Sequence, residues 1–481
     1  MKGLFATYPV AGRVPLITLT AAVALLGGCA GTYESAVRHD IDAVRAHHDW
    51  SVDTGGNGAR PSRAQADSLS TGISAYVALA LQNNPEIRAA FERWQASVHR
   101  ISRARRLPEP TVGFGYFIQS VETRVGPQQA RISLQQAFPW PTKLTAGADA
   151  ASAQARSVQR RFEAQSLMIT QRVATAYWSL WQIRSTRSIH QQHLEVVRGL
   201  SESVRARIST GTAMLADLQQ IDLTAARLED NIRGMDEAER VAEAQLRAAI
   251  GVRGDLVVPT DQPPSDPVSP SEGAEALAAA AQEHPMITSL GFMAEAAESS
   301  ARAEAADRYP SFTVGADWII TGDAAMPGVA DSGKDAVIVG AGIRIPLWQG
   351  SYSDSIAAAR ADARAQRADQ RALADRAAAE LTTSLSNVED AVRRAALYRG
   401  TLVPQAESAY DSVLGAYTVG RGTVAQTLLA QRDLLELRVE LDRARADYER
   451  AWARLEEIAG REVRRTAVAP ERASTAEVTD E

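Results

Sequence analysis

Cysteine is almost missing from this chain. Cys29 is the single one among 481 residues, so no intramolecular disulfide can form. Lysine is nearly absent too, present only as Lys2, Lys143 and Lys334, and the positive charge is carried by arginine. Aromatics make up 6% while alanine and arginine crowd long stretches, a composition that suits long helices better than compact mixed domains. A formal net charge of −6 offers no basic face of the kind nucleic acid selects. No P-loop, HExxH, CxxC or GxSxG pattern occurs, and no carboxylate pair stands out from the charged helix surfaces. The chain is therefore read as no enzyme, with no cofactor and no resident metal. Beyond residue 28 no run of 18 uninterrupted apolar residues follows, which leaves no membrane-spanning helix in the mature chain.

The N-terminus carries the first positive signal. Lys2 and Arg13 precede an apolar run, residues 14–28, that is too short to span a bilayer comfortably and suits a signal-peptide core. It ends in Leu26-Gly27-Gly28-Cys29, which resembles the lipobox of bacterial lipoproteins. That resemblance implies cleavage after residue 28, a lipid on Cys29 and, with Ala30 rather than Asp following, an outer-membrane destination. Losing residues 1–28 removes two positive charges and no acids, which leaves −8. The plainer alternative is a signal peptide with an incidental cysteine.

The mature sequence is a two-fold repeat. Residues 29–72 read as a polar, extended leader. From residue 73 a helix, the corner Asn83-Asn84-Pro85 and a second helix lead to two period-two segments, at 111–118 and 130–137. A proline-free helical stretch from Thr142 to Ile208 follows, long enough to span roughly 100 Å. Ser209-Thr210-Gly211-Thr212 breaks it. The return helix carries Leu218, Ile221, Ala225, Leu228, Ile232 and Met235 at heptad spacing and ends at Gly251. Prolines 259, 263, 264, 267 and 270 mark a linker, taken as 252–273. The order then recurs: His284-Pro285, strands at 311–320 and 337–345, a long helix, the break Thr418-Val419-Gly420-Arg421-Gly422, and a return helix with Leu434, Leu437, Leu441, Ala444, Tyr448, Ala451, Leu455 and Ile458 ending at Gly460. Pro85 and Pro285 are 200 residues apart, Pro108 and Pro310 are 202, and Pro139 and Pro346 are 207. Gly211–Gly420 and Gly251–Gly460 are both 209, so glycine follows glycine at 40 residues in each half. Expected divisions are the signal peptide 1–28, the leader 29–72, repeats 73–251 and 274–463 around the linker, and a disordered tail 464–481.

Two hairpins supply four strands, which cannot close a barrel, and open strand edges cannot sit in lipid. If the hairpins enter a membrane, the chain must associate with copies of itself, and three copies give a closed, hollow barrel of twelve strands. The fold class expected is thus mainly α with a small β part: a trimeric helical tube of long antiparallel coiled-coil hairpins joined to a shared transmembrane β-barrel.

The two-fold repeat, the paired hairpins, the Val419-Gly420 break and the run Gln431-Arg432-Asp433-Leu434-Leu435 resemble the TolC family of outer-membrane efflux proteins over about residues 73–463. The lipobox resembles its lipidated branch, and Phe138-Pro139-Trp140-Pro141-Thr142-Lys143-Leu144 resembles members that serve heavy-metal pumps. The resemblance implies a homotrimer in the outer membrane with a large periplasmic portion. It also implies a periplasmic adaptor and an inner-membrane pump of the RND type as partners, with metal cations as cargo. Drugs or polypeptides are the alternative cargo, and a non-conducting coiled-coil lipoprotein is the structural alternative. It further implies that the glycine breaks are periplasmic tips, which places adaptor contacts at Gly211, Thr212, Val419, Gly420, Arg421 and Gly422. Relatives often set acidic side chains after the second break, but Val424-Ala425-Gln426-Thr427-Leu428-Leu429 has none. Arg421 paired with Asp217 is the expected tip closure in their place. The bland reading of both glycines is a turn needing positive φ.

Trp140, Trp318 and Trp348 fit an interfacial aromatic belt or, equally, packing at the strand ends. His190 and His193, one turn apart, and His39, His47 and His48 in the leader are metal candidates whose plainer reading is a solvated surface.

Overall fold

The computed structural model describes residues 32–47, 72–252 and 258–466. Cys29 and the signal segment lie outside the described residues. In chain order the elements are α1 (Thr32–His47), α2 (Ile73–Asn83), α3 (Pro85–Arg105), β1 (Thr111–Tyr116), β2 (Glu122–Thr123), β3 (Gly126–Phe138), α4 (Pro141–Ser209), α5 (Leu215–Ile250), α6 (Ala274–Gln282), α7 (Pro285–Ala306), β4 (Ser311–Thr321), β5 (Ala336–Arg344), α8 (Gln349–Leu397), a single π-helical turn (Tyr398–Leu402), α9 (Val403–Thr418) and α10 (Val424–Ala459). One correction concerns the leader: residues 32–47 form a helix, with Val37 and Ile41 buried four apart on one face, and not an extended segment. All four expected strands are present, with β3 starting four residues earlier than read.

The chain divides into two compact units. The first holds α1, the hairpins and the adjoining helix ends. Its four long strands form one antiparallel sheet in the order β1-β3-β4-β5, with β2 as a small appendage on β3. The hairpins meet through β3 and β4, where Phe138 lies opposite Phe312 and Ala130 opposite Ile320. Gly126 has φ +134°, and a Cβ there would sit 1.7 Å from the Gly322 carbonyl oxygen, so only glycine permits this approach of the two turn regions.

The second unit holds the helical hairpins and the linker. Its heptad seams are buried as the spacing requires. Ile221 and Leu228 of α5 join Leu194, Val197, Leu200 and Val204 of α4 and Tyr417, Val424, Leu428 and Leu435 of α9 and α10 in one cluster. Further along α10, Tyr448, Trp452, Leu455 and Ile458 pack with Leu277, Leu381 and Val388. Phe91, Trp94 and Phe162 make the matching aromatic core of the first repeat, Trp94 stacking on Phe162 at 5.7 Å.

The return helices repeat residue for residue. Each has 36 residues and ends on a left-handed glycine, Gly251 at φ 82° and Gly460 at φ 70°. The descending helices differ by one. α4 has 69 residues, whereas 70 lie between Gln349 and Thr418. The extra residue is absorbed in the π turn just before Pro404, whose missing N–H and bulky ring would otherwise disrupt an α-helix.

The linker is strapped down. Tyr76 and Tyr448 donate to the carbonyls of Pro259 and Val268, and the Ser265 N–H donates to buried Glu449. Arg464–Thr466, assigned from sequence to the tail, instead pair with Ser269–Ser271, and Arg465 bridges Glu449 while lying over Tyr448 and Trp452.

A Cβ on Gly251 would lie 2.7 Å from Asn84 Cα, whereas one on Gly211 meets nothing within 4 Å. Gly251→Val should therefore cost clearly more than the ~1–2 kcal/mol of left-handed strain expected for Gly211→Val. Denaturant midpoints of the two variants in detergent measure the difference. Equal midpoints would show that the seat of Gly251 against the Asn84 corner is soft.

Candidate functional site

In the first unit the pleat sorts the strands into two faces. On one lie Val112, Phe114 and Tyr116 of β1, Ile132, Leu134 and Phe138 of β3, Phe312, Val314, Ala316 and Trp318 of β4, and Val337, Val339, Ala341 and Ile343 of β5, with Gln136, which donates to the Pro108 carbonyl, as the polar exception. The registers place them opposite one another across the whole sheet. Phe114 is 74% and Val339 77% exposed. The opposite face carries Thr111, Gly113 and Gly115, then Arg131, Ser133 and Gln135, then Thr313, Gly315 and Asp317, then Gly340, Gly342 and Arg344. Ile319 and Ile338 are its apolar exceptions. Arg131 and Asp317 form an ion pair across the hairpin junction on that side, at 2.8 Å. An apolar face too large for water, backed by a small and polar one, is the alternation of strands between lipid and a lumen.

At the strand ends Trp140 stacks on Tyr309, with ring centroids 5.0 Å apart, and Lys143 pairs with Asp307. Packing explains Trp140. Trp318 donates from Nε1 to Asp335 and stays half-exposed, and Trp348 is 77% exposed, as interfacial side chains would be.

In the second unit both glycine breaks are turns in left-handed geometry. Gly211 has φ 75° and Gly420 φ 76°. Thr212 N–H donates to the Arg207 carbonyl, and the N–H groups of Arg421 and Gly422 both donate to Ala416. Gly422 has a second reason to be glycine, since a Cβ would come within 2.9 Å of the Tyr417 nitrogen. Thr423 and Gln426 cap α10 reciprocally. Asp217 starts α5 by accepting from the Met214 N–H at 3.3 Å, a carboxylate at a helix N-terminus. Thr212, Val419, Gly420 and Arg421 are exposed.

The pairing expected between Asp217 and Arg421 is not made within the chain among the described residues. Its place is taken by a residue the sequence did not flag. Arg207, in the last turn of α4, lies over the Tyr417 ring at 4.5 Å and donates to the carbonyls of Tyr417 and Thr418 at 3.3 and 3.2 Å. A cation thus satisfies the open C-terminal end of the neighbouring helix α9. An arginine four residues before the glycine was the available signal. Its position gives no hint that it serves another helix.

Away from the turns, α4, α9 and α10 line an open cleft of about 460 Å³. His193 and Gln431 line it, both buried, with Glu407, Tyr410, Asp411 and Arg438, and Glu407 pairs with Arg438 at 2.7 Å. The His190 ring bonds to the Thr186 carbonyl through Nδ1. Among the described residues no group of three or more His, Cys, Asp or Glu side chains is arranged to hold a metal. Burial, aided by His190, pushes the His193 imidazole down from 6.5 to about 4.

Strands with a lipid-type face, carried by a chain whose bulk is long helical hairpins, define a channel-forming class of outer-membrane protein. The comparisons agree. The profile of the outer membrane efflux protein family matches residues 76–252 and 276–461, and the chain belongs to that family. It is 23% identical over 275 residues to the outer membrane efflux protein BepC of Brucella suis, a match spanning 56% of this chain and 59% of that protein. Its fold is that of the outer membrane protein VceC of Vibrio cholerae (TM-score 0.67, 20% identity, 81% of this chain and 96% of that one). It is also that of CusC (TM-score 0.68, 15% identity, 85% and 96%).

His193 stays neutral in the folded chain while the unfolded chain takes up a proton below pH 6.5. Stability is therefore lost progressively as pH falls from about 6.5 to about 4, and no further below that. His190, the carboxylates of Glu407 and Asp411, the Tyr410 hydroxyl and Arg438 are the other ionisable groups near it, so the comparison needed is with His193→Gln. That variant should flatten the acid loss of amide-exchange protection in α4 and α10. An unchanged profile would show that another group sets it.

Proposed function

We propose that the chain is the outer-membrane exit duct of a tripartite efflux system. Three copies close a twelve-stranded barrel in the outer membrane, and their helical hairpins form a periplasmic tube. The observation that carries this reading is the apolar face running over all four strands of a sheet whose outer edges, on β1 and β5, have no partner among the described residues. Such a duct does no chemistry. It passes what an inner-membrane pump of the RND type delivers through a periplasmic adaptor, which docks on the tips at Gly211, Thr212, Val419, Gly420, Arg421 and Gly422. The stretch Phe138–Leu144 favours metal cations as cargo. One observation favours a multidrug or polypeptide duct instead: residues 424–429 offer no carboxylate to attract cations. A lipid on Cys29 anchors each copy beside the barrel.

Because a Cβ on Gly420 meets nothing within 4 Å, a replacement there strains only the turn, by ~1–2 kcal/mol. Gly420→Val should keep trimer yield and membrane insertion but lower efflux and crosslinking to the adaptor. Normal export and crosslinking would remove the tip from the docking surface, and a stable inserted monomer would end the duct reading altogether. Cys29→Ser should abolish incorporation of radiolabelled fatty acid into the protein. Label that persists would put the lipid elsewhere.

A further inference from the structure

The chain contains a template for its own contact with the next copy. Its two hairpins are repeats, and β3 of the first pairs with β4 of the second. The hairpin registers and the repeated prolines together fix how the repeats map. Thr111 faces Gln135 in the first hairpin, and Thr313 faces Gly342 in the second. Pro108–Pro310 relates the first strands by 202 residues and Pro139–Pro346 the second strands by 207, and these two offsets carry the register of the first hairpin onto that of the second. The same two offsets carry the β3–β4 junction onto the free edges. Gln135 opposite Gly315 becomes Gly342 opposite Gly113 of another copy, and Gln136 opposite Val314 becomes Ile343 opposite Val112.

We infer that β5 of one copy pairs antiparallel with β1 of the next in a single register, with Arg344, Ile343, Gly342, Ala341, Gly340 and Val339 facing Thr111, Val112, Gly113, Phe114, Gly115 and Tyr116 in turn. This rests on the proposed closed trimer and names the contact that closes it. The chemistry of the two edges, which played no part in the mapping, agrees with it. Apolar side chains meet apolar ones in Ile343–Val112, Ala341–Phe114 and Val339–Tyr116. The small and polar positions meet in Arg344–Thr111, Gly342–Gly113 and Gly340–Gly115. A slip of one residue would set the apolar face of β1 on the glycine face of β5 and break the alternation at the seam.

The strand ends follow the same rule. Trp140 is held by Tyr309 at the junction inside the chain. Its counterpart after β5 is Trp348, with Leu347 inserted after the proline, and both are largely exposed. The counterpart of Tyr309 before β1 is Leu107. Trp348 and Leu347 therefore seat on Leu107 of the next copy, and their exposure in the single chain is that of an unmade contact.

Paired cysteines test the register. Ala341→Cys with Phe114→Cys should crosslink on oxidation into dimers and trimers. The pairs Val339→Cys with Phe114→Cys and Ile343→Cys with Phe114→Cys displace one thiol by two residues, about 7 Å, beyond disulfide reach, so their yield should be at least ~10-fold lower. Each single-cysteine variant controls for Cys29, and mass in detergent reports the oligomer separately. A trimer in which a displaced pair crosslinks best, or in which no pair does, overturns the register and leaves the trimer standing. A monomer overturns both.

Discussion

A strand edge carries unpaired N–H and C=O groups, and hydrocarbon offers them no partner. Each group left open there costs several kcal/mol, far more than a surface side chain returns. A four-stranded sheet with an apolar face is therefore an incomplete object. Either the face is covered by protein, which would leave Phe114 and Val339 buried, or the edges are paired by further copies. Phe114 and Val339 are exposed in the single chain, as the proposed pairing with further copies requires.

Much of this was legible in the sequence, and the offsets say why. They grow from 200 to 202, 207 and 209 along the repeat, so residues were added between the corner and the first strand, at the hairpin turn, just before the descending helix and within it, but never in the return helix. A return helix packs on neighbours through a heptad seam, and one added residue would rotate the rest of that seam by about 100°. Turns tolerate length. The descending helix tolerated one residue because a π turn beside Pro404 absorbs it. Spacing thus revealed strands, breaks and caps. It could not reveal α1, whose apolar positions are few and whose composition is polar, nor the strap of Arg464–Thr466 on the linker, which depends on backbone bonds between segments nearly 200 residues apart.

Side-chain chemistry was less readable because the repeats share backbone geometry and not contacts. Asn84 donates to the Ala249 carbonyl at the first cap, while His284 holds the corresponding corner in the second half. Asp217, read as a gate residue, caps its own helix within the chain. Arg421 looked like its partner and makes no such bond among the described residues. Arg207 does reach across, to carbonyls that any residue would present, so no complementary charge in the sequence could have announced it.

The four left-handed glycines at the hairpins separate into two kinds. At Gly251 and Gly460 the surroundings leave little or no room for a Cβ, and the helix end is seated against the corner of its own repeat. At Gly211 and Gly420 nothing lies within 4 Å of that position, so the turn is set by its own backbone and by the bonds from Arg207. The tip glycines are seated against nothing, although Tyr417 and Val424 beside Gly420 join the buried cluster, whereas the Gly251 cap is seated against Asn83 and Asn84. A replacement at a tip glycine therefore strains its own turn, while one at a cap also strains the corner it is seated against.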